Sequence, residues 1–143
     1  MNEHQIIITT AIIPDGTGKL LLSQRNEPSS PNSHNKWQFI GGGINFGEDP
    51  ETAIVREVLE EAGIEVEPVR LFPKVFTHVW DIEEKQTQIL ILTYECKLLS
   101  GTPTPSDQET KALEYFTLEE ILELDTLPQI KEAAQMFLLQ SKS

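Results

Sequence analysis

Short apolar segments separated by turn-forming residues dominate the beginning of the chain. Residues 6–13 and 20–24 are rich in branched side chains, and they flank Pro-Asp-Gly-Thr-Gly at residues 14–18. This pattern predicts two strands joined as a hairpin. Residues 26–35 hold two prolines, three serines and three asparagines, which predicts a surface loop. A short strand at residues 37–40 then leads into three consecutive glycines.

Strands and helices also alternate in the second half of the chain. We predict an extended or broken strand at residues 65–75 that continues through 76–80, a polar turn at 81–86, a long strand at 88–97, a loop at 100–107 and a short strand at 115–116. Thr117 and Glu120 form a capping box that opens a short helix. Apolar residues at helical spacing predict a last helix that begins near Pro128. Strands on both sides of a central helix, with a helix at the end, favour an α/β fold in which helices cover both faces of a mixed sheet.

The central helix follows a glycine-rich turn within residues 42–64. Asp49 is a suitable N-cap, and Pro50 suits the first helical position. Gly63 stands where a left-handed residue would end the helix. These signals predict a helix of about three turns with well-defined ends.

The two faces of this helix differ in chemistry. At about 100° per residue, Glu57, Glu60 and Glu61 fall within an arc of roughly 100°. The opposite face is apolar and contains Ile54, Val55, Val58, Leu59 and Ala62. Like charges at this spacing destabilise a helix, so a divalent cation is expected to offset them. Carboxylate oxygens suit Mg²⁺ or Mn²⁺, typically together with substrate phosphates.

The composition restricts the class of partner. The chain has 143 residues and a net charge of −12, which fits one domain and argues against a nucleic-acid polymer as the partner. A small nucleotide remains compatible, because bound metal ions neutralise a local acidic patch. The N-terminal segment lacks the features of a signal peptide, and no apolar run reaches the roughly 18 residues that a membrane span needs. The single Cys96 cannot form an internal disulfide, so we expect a cytoplasmic protein with a buried thiol and no membrane partner.

The acidic helix resembles a known family signature. Gly42, Glu48 and the run of residues 56–64, Arg-Glu-Val-Leu-Glu-Glu-Ala-Gly-Ile, match every fixed position of the Nudix box over 23 residues. Weaker resemblance extends to residues 19–25, 37–42 and 114–121. The resemblance implies an α/β/α sandwich with a mixed central β-sheet, formed by a single Nudix hydrolase domain over residues 1–143.

The same resemblance implies a MutT-like, divalent-metal-dependent hydrolase of nucleoside diphosphates linked to another group. The small size is most similar to the branch that converts nucleoside triphosphates, including oxidised ones, to the monophosphate and pyrophosphate. Alternative substrates are ADP-ribose, NDP-sugars and dinucleoside polyphosphates. A non-catalytic nucleotide-binding module is an alternative of a different class; loss of box glutamates would indicate it, and none is lost here. Both a monomer and a homodimer remain open.

The resemblance also assigns roles to individual residues. The implied ligands of Mg²⁺, or of Mn²⁺, are Glu57, Glu60 and Glu61, with a contact from Glu48 that is direct or outer and an oxygen from the Gly42 carbonyl. Arg56 would orient the metal-binding glutamates. Candidates for the catalytic base are Glu57, Glu61 and Glu109, where Glu109 resembles a glutamate that many members supply outside the box. Asp107 is its rival in the same loop.

Substrate contacts are less defined by the sequence. Arg25 follows an apolar strand and could reach a phosphate, and Trp37 and Trp80 could stack on a base, as could Phe76 and Tyr115. Candidates for reading the edge of an oxidised base are Asn32, Asn35 and Asp125. The chain departs from the usual family pattern at Ile40, where a proline is common, and at Asn45, where a glutamate is frequent. Both changes alter the turn before the metal site and leave the box ligands in place.

Overall fold

The structure, a computed structural model, describes residues 2–82 and 85–140. The strands are β1 (Asn2–Ile12), β2 (Lys19–Arg25), β3 (Trp37–Gln38), β4 (Ile40–Gly43), β5 (Glu65–Leu71), β6 (Phe76–Ile82), β7 (Lys85–Ser100) and β8 (Thr110–Thr117). The helices are α1 (Pro50–Ala62), α2 (Leu118–Glu123) and α3 (Ile130–Gln140). The polar turn predicted at residues 81–86 is centred on residues that lie outside the described ranges.

A five-stranded mixed sheet forms the centre of the fold. Strand β7 pairs in parallel with β1 on one edge, and on its other edge it pairs antiparallel with β6 and then β5. The predicted broken strand is therefore confirmed, because β5 and β6 follow the same edge of β7 one after the other. Strand β4 pairs antiparallel with β1 and completes the sheet.

The prediction of an N-terminal hairpin is right for the turn and wrong for the pairing of its two strands. Backbone hydrogen bonds close the turn, from Asp15 N to Lys19 O at 3.0 Å and from Leu21 N to Ile13 O at 3.1 Å. The two strands then separate, because β2 joins a second, three-stranded antiparallel sheet between β3 and β8. The apolar run in β2 explains the separation: Leu20 and Leu22 are buried in one core and Leu21 in the other, so both faces of the strand are covered.

The strand predicted at residues 37–40 is also divided. Trp37 and Gln38 belong to the three-stranded sheet, whereas Ile40 begins β4 in the five-stranded sheet. Phe39 lies at the crossing point, where its side chain is buried in the core. The strand expected at residues 115–116 is longer than predicted and spans Thr110–Thr117.

Two hydrophobic cores show the layered architecture. Helix α1 packs through Ile54, Val58 and Ala62 on one side of the sheets. Helices α2 and α3 pack on the other side, where Ile121 and Ile130 join the second core. The expected α/β/α arrangement is confirmed, although the β layer is divided between two sheets. Within the ranges that the structure describes, no helix is long and apolar enough to cross a membrane.

The ends of α1 follow from the predicted caps. The Asp49 side chain accepts a hydrogen bond from Glu51 N, and Pro50 is the first helical residue. Gly63 adopts φ 68°, the left-handed conformation that glycine accommodates without strain, and its N–H bonds to Leu59 O. The box of Thr117 and Glu120 at the start of α2 is also confirmed.

The division of α1 into an apolar and an acidic face needs correction. Leu59 was expected to pack but is 50% exposed, whereas Glu61 was expected on the open face but is only 7% exposed. The helix is rotated so that the boundary of its packed face passes through Glu61. The β4 glycines explain this arrangement, because they leave room for acidic side chains against the sheet.

We therefore expect Ile54→Ala and Leu59→Ala to differ sharply in stability. Ile54 is fully buried, and its truncation should lower the free energy of unfolding by about 2–5 kcal/mol through lost burial and a residual cavity. Leu59→Ala should change it by less than about 1 kcal/mol. Urea unfolding measures both, and equal losses would contradict the orientation of α1 described here.

Candidate active site

Two glycines of β4 allow α1 to approach the sheet closely at its acidic residues. A Cβ atom added to Gly42 would lie 2.7 Å from the carboxyl atoms of Glu57, and one added to Gly41 would lie 2.0 Å from Thr9 O. The Gly41 N–H donates to Glu61 Oε2 at 3.1 Å. These positions require glycine because the carboxylate and the backbone occupy the space of a side chain.

The Arg56 guanidinium links the acidic residues to one another. Its Nε and Nη2 donate to the two oxygens of Glu48 at 2.8 and 2.9 Å. Its Nη1 donates to Glu57 Oε1 at 3.0 Å and to Glu60 Oε2 at 3.3 Å, and Nη2 also donates to the Gly43 carbonyl at 3.1 Å. All five N–H groups of the side chain thus have an acceptor. This arrangement fixes the relative positions of the carboxylates.

Burial and charge repulsion raise the pKa of these carboxyl groups, whereas contact with Arg56 lowers it. Burial, followed by repulsion from Glu57 and Asp107, raises the pKa of Glu61 to about 8. Burial also raises the pKa of Glu57, although Arg56 opposes this shift. The hydrogen bonds from Arg56 lower the pKa of Glu48 and, in return, raise the pKa of Arg56. Glu61 is therefore largely protonated at neutral pH unless a cation offsets the repulsion.

The donor set fits a hard divalent cation. Glu57 and Glu61 provide carboxylate oxygens at the sheet, and Glu60 is the more exposed partner on the same helix. In residues 2–82 and 85–140, no group of three or more His, Cys, Asp or Glu side chains is close enough together to hold a metal ion, so Glu57, Glu60 and Glu61 do not converge on one point in this structure. An open set of carboxylates suits Mg²⁺, which is usually held by one or two carboxylates together with water and substrate phosphates.

Both oxygens of Glu48 already accept hydrogen bonds from Arg56, and Oε1 also accepts one from Asn45 N. This geometry favours an outer contact to a metal over a direct one for Glu48. Asn45, one of the departures from the family pattern, therefore supports Glu48 through its backbone, which any side chain at that position would permit.

The loop before β8 packs on the end of α1 and carries the two rival acids. Its Ser106 N–H donates to the Glu61 carbonyl at 2.9 Å, which places the loop beside the acidic helix. The Asp107 carboxylate is close enough to raise the pKa of Glu61. Glu109 is exposed, and its carbonyl accepts a hydrogen bond from Asn26 N at 2.8 Å. The geometry thus brings Asp107 into the electrostatic environment of Glu61.

Arg25 extends from the end of β2 towards the same carboxylates. Its Nη1 donates to Gln38 Oε1 at 3.1 Å, and its Nη2 forms an ion pair with Glu27. The positive charge of Arg25 acts to lower the pKa of Glu61, so the two side chains are electrostatic neighbours. Arg25 and Glu61, which are distant in sequence, therefore influence each other electrostatically.

The two tryptophans occupy different environments. Trp37 is half-buried and packs edge-on against Phe116, with ring centroids 4.9 Å apart, at the margin of a hydrophobic core. Trp80 packs against His78 and lines an open cleft of about 650 Å³. Phe76 is buried beside Phe72, which leaves no open face for a base.

The cleft lined by Trp80 is a candidate for holding a nucleoside, and the separate cleft lined by Tyr115 is similar in volume at about 690 Å³. Pro31, Asn32 and Lys36 line one side of the Trp80 cleft, and the start of α3 lines another. A narrower cavity of about 60 Å³ shares His78 and Trp80 with the cleft and extends inward to Thr10 and Gln38. Gln38 lines this cavity and also accepts a hydrogen bond from Arg25. Arg25 thus links the cavity to the acidic site.

The other residues considered for base recognition lie elsewhere. The Asn35 side chain accepts a hydrogen bond from Lys111 Nζ at 2.6 Å, and Asp125 forms an exposed ion pair with Lys36. Tyr115 lines a separate cleft, beside Phe137. Sequence reasoning did not identify Gln38 and His78. Gln38 follows Trp37 in a short strand, and His78 alternates with Trp80 in β6, so strand periodicity was the available signal.

Comparison with known proteins decides the family. The model of the NUDIX domain matches residues 5–137 of the chain. The chain belongs to the Nudix family. It is therefore a phosphoanhydride hydrolase, and Nudix hydrolases generally use divalent metal ions and act on small nucleotides.

Individual Nudix relatives support the same assignment. A Mycobacterium tuberculosis protein named "Putative 8-oxo-dGTP diphosphatase 2" is 32% identical over 87% of this chain and 82% of its own length. A MutT protein from Methanosarcina mazei has a similar structure, with a TM-score of 0.79, 24% identity and coverage of 100% of this chain and 99% of its own. An ADP-ribose pyrophosphatase from Streptococcus suis has a TM-score of 0.68 and 27% identity over 96% of this chain and 92% of its own.

The raised pKa of Glu61 predicts a pH-dependent stability in the presence of a chelator. The pKa rises from 4.5 to about 8 on folding, so the native state holds an extra proton between these values. The contribution of Glu61 to the free energy of unfolding is greatest below pH 4.5 and falls as the pH rises towards 8. Relative to the wild type, the free energy of unfolding of Glu61→Gln should therefore increase between pH 4.5 and 8. Above pH 8 the difference between the two proteins should stay constant.

Urea unfolding at several pH values, with a chelator present, measures this difference. Glu51→Gln is a matched control because Glu51 is an exposed glutamate on the same helix. A difference between Glu61→Gln and the wild type that does not change with pH would contradict the assigned environment of Glu61.

Proposed function

We propose that this Nudix enzyme hydrolyses a nucleoside triphosphate, including an oxidised one, to the monophosphate and pyrophosphate with Mg²⁺ as cofactor. We further propose that residues 1–143 act as one Nudix domain. The observation that carries the proposal is the position of Arg25: it donates to Gln38, which lines the narrow cavity beside the cleft, and its positive charge opposes the burial and repulsion that raise the pKa of Glu61. A nucleoside in the cleft would then extend its phosphates past Arg25 towards the carboxylates.

The volume of the cleft is suitable for a small-molecule substrate. Small-molecule sites typically measure about 300–1,000 Å³, and the open cleft, at about 650 Å³, falls within this range. Trp80 and His78 offer ring surfaces for a base, and Asn32 offers an amide to its edge. The name of the Mycobacterium tuberculosis relative supports an oxidised purine nucleotide as the first substrate to test.

Mg²⁺, or Mn²⁺, would be held by Glu57, Glu60 and Glu61, with the Gly42 carbonyl as a further oxygen and Glu48 as an outer contact. When bound, it would neutralise the charge of the diphosphate during cleavage. Arg56 keeps Glu57 and Glu48 in fixed positions, because its guanidinium bonds to both. Arg25 would contribute a positive charge to the phosphate that lies beyond the reach of the carboxylates.

A carboxylate must take the proton from the attacking water. A base works best when its pKa lies near the operating pH, and Glu61 is a candidate because burial raises its pKa in the protein without metal. Glu57 is the second candidate because its pKa is also raised. Glu109 remains a candidate in the adjoining loop, with Asp107 as the alternative acid there.

Glu60→Gln and Glu61→Gln should each lower kcat by about 10²–10⁴ while the fold is kept, since charge stabilisation or proton transfer is lost. Steady-state kinetics with saturating Mg²⁺ measure the effect. Glu51→Gln is again the matched control and should keep the wild-type kcat. Full activity in either site variant with Mg²⁺ present would contradict the proposed mechanism.

The substrate assignment is tested by kcat/KM over a panel of triphosphates, ADP-ribose, NDP-sugars and dinucleoside polyphosphates. We expect a triphosphate to be preferred and to yield pyrophosphate. Isotopically labelled water would then mark which phosphorus is attacked. If ADP-ribose or a dinucleoside polyphosphate exceeds every triphosphate by about tenfold, or roughly 1.4 kcal/mol of transition-state binding, the triphosphate assignment is wrong. The hydrolase assignment would survive that result.

A further inference from the structure

Glu27 lies near the start of the loop that connects β2 to β3, and its carboxylate bonds both to Arg25 and to the tip of the loop. Its carboxylate forms an ion pair with Arg25 and accepts hydrogen bonds from Ser30 Oγ at 3.2 Å and Ser33 Oγ at 3.4 Å. Its backbone N–H donates to His34 Nδ1 at 2.9 Å. One side chain therefore joins Arg25 to the tip of the loop.

The backbone of Arg25 closes the same loop. Its N–H donates to Lys36 O at 2.9 Å, and its carbonyl accepts from Asn35 N at 3.0 Å. The loop between these contacts carries Pro31 and Asn32, which line the cleft. A change in the position of Glu27 would thus move both the guanidinium and the wall of the cleft.

The hydrogen bonds of Arg25 hold its terminal nitrogens and leave its Nε without a partner. Gln38 and Glu27 each accept a hydrogen bond from one of the two terminal nitrogens. The Nε is buried and has no hydrogen-bond partner among the residues that the structure describes. Because that atom is buried while the side chain as a whole is 27% exposed, a phosphate would contact the terminal end of the guanidinium, whose orientation Gln38 and Glu27 fix.

We propose that Glu27 is a positioning residue that couples phosphate binding by Arg25 to nucleoside binding by the loop tip. This inference rests on the proposed function for the location of the two subsites. Glu27 touches neither the reacting atoms nor the metal ligands in this scheme. It acts through Arg25 on one side and through Ser30 and Ser33 on the other.

Two variants separate the two sides of this coupling. Glu27→Gln keeps the shape of the side chain but removes the charge that holds Arg25. The double variant Ser30→Ala/Ser33→Ala keeps the ion pair of Glu27 and Arg25 but removes the hydrogen bonds to the loop tip. Glu95→Gln is the matched control, because Glu95 forms a similar ion pair with Arg70 on the far end of β7.

Isothermal titration calorimetry with Mg²⁺ would use two probes: inorganic pyrophosphate and a nucleoside triphosphate analogue with a methylene bridge between its α and β phosphorus atoms. We expect Glu27→Gln to weaken both probes about tenfold. The double serine variant should weaken only the nucleotide analogue, by about three- to tenfold. Glu95→Gln should leave both dissociation constants within about twofold of the wild type. Thermal melts confirm that each variant is folded.

A kinetic split gives a readout that a loss of folding would not produce. If Arg25 contacts the phosphates equally in the ground and transition states, Glu27→Gln raises KM while kcat stays within about twofold. In an Arg25→Met background, Glu27→Gln should have little further effect on pyrophosphate binding, since the two residues act as one unit on the phosphate side.

Several results would overturn the inference. They are unchanged pyrophosphate binding in Glu27→Gln, additive effects of Glu27→Gln and Arg25→Met on pyrophosphate binding, or a fall in kcat without a change in KM. A wild-type protein that binds the analogue but hydrolyses no member of the substrate panel would refute only the proposed function, and the binding ratios would still decide the role of Glu27. A wild-type protein that binds neither probe would refute both.

Discussion

The guanidinium of Arg56 is the group on which the geometry of the acidic site depends. Glu48, Glu57 and Glu60 would repel one another without it, and within residues 2–82 and 85–140 no other cation is bonded to all three. Because every N–H of Arg56 has an acceptor, a lysine at this position could not replace it: an ammonium has three donors and no planar fork. The pair with Glu48 also ties the loop before α1 to the helix, so the start of the helix and its acidic face are positioned by the same side chain.

The backbone of β4 sets the second constraint. Gly41 and Gly42 have no side chains, so Glu57 and Glu61 can lie against the sheet instead of pointing into solvent. This burial separates the acids chemically, because Glu61 gains a high pKa while Glu48, held by Arg56, has a lowered one. Glu48 and Glu61 are both glutamates, yet their different surroundings shift their pKa values in opposite directions.

The ends of α1 and the identity of its acidic residues could be predicted from the sequence, because local sequence signals determine them. The caps at Asp49 and Gly63 fixed the helix ends, and the box spacing identified the acidic residues. The separation of β1 and β2 could not be predicted, since the turn at residues 14–18 is the same for a hairpin and for strands that diverge. The burial of Glu61 also required the tertiary structure: helical periodicity places it on the acidic face, and only the missing side chains of the β4 glycines allow that face to be covered. The sequence does not distinguish Trp37 from Trp80 as candidates for base stacking. In the structure Trp37 packs against Phe116, whereas Trp80 lines the open cleft.

The raised pKa of Glu61 connects the electrostatics of the fold to its chemistry. A proton and a divalent cation would compete for the same carboxylates, because either one relieves the repulsion between Glu61, Glu57 and Asp107. The protonated state allows the chain to bury these residues without a metal, and it costs less than an unpaired buried charge. Ionisation of Glu61 restores the repulsion, which strengthens the attraction for a cation and for the phosphates that the cation accompanies. An acidic protein with a net charge of −12 could thus hold an anionic nucleotide, because a cation shared with Glu61 would offset the negative charge that this carboxyl group gains on ionisation.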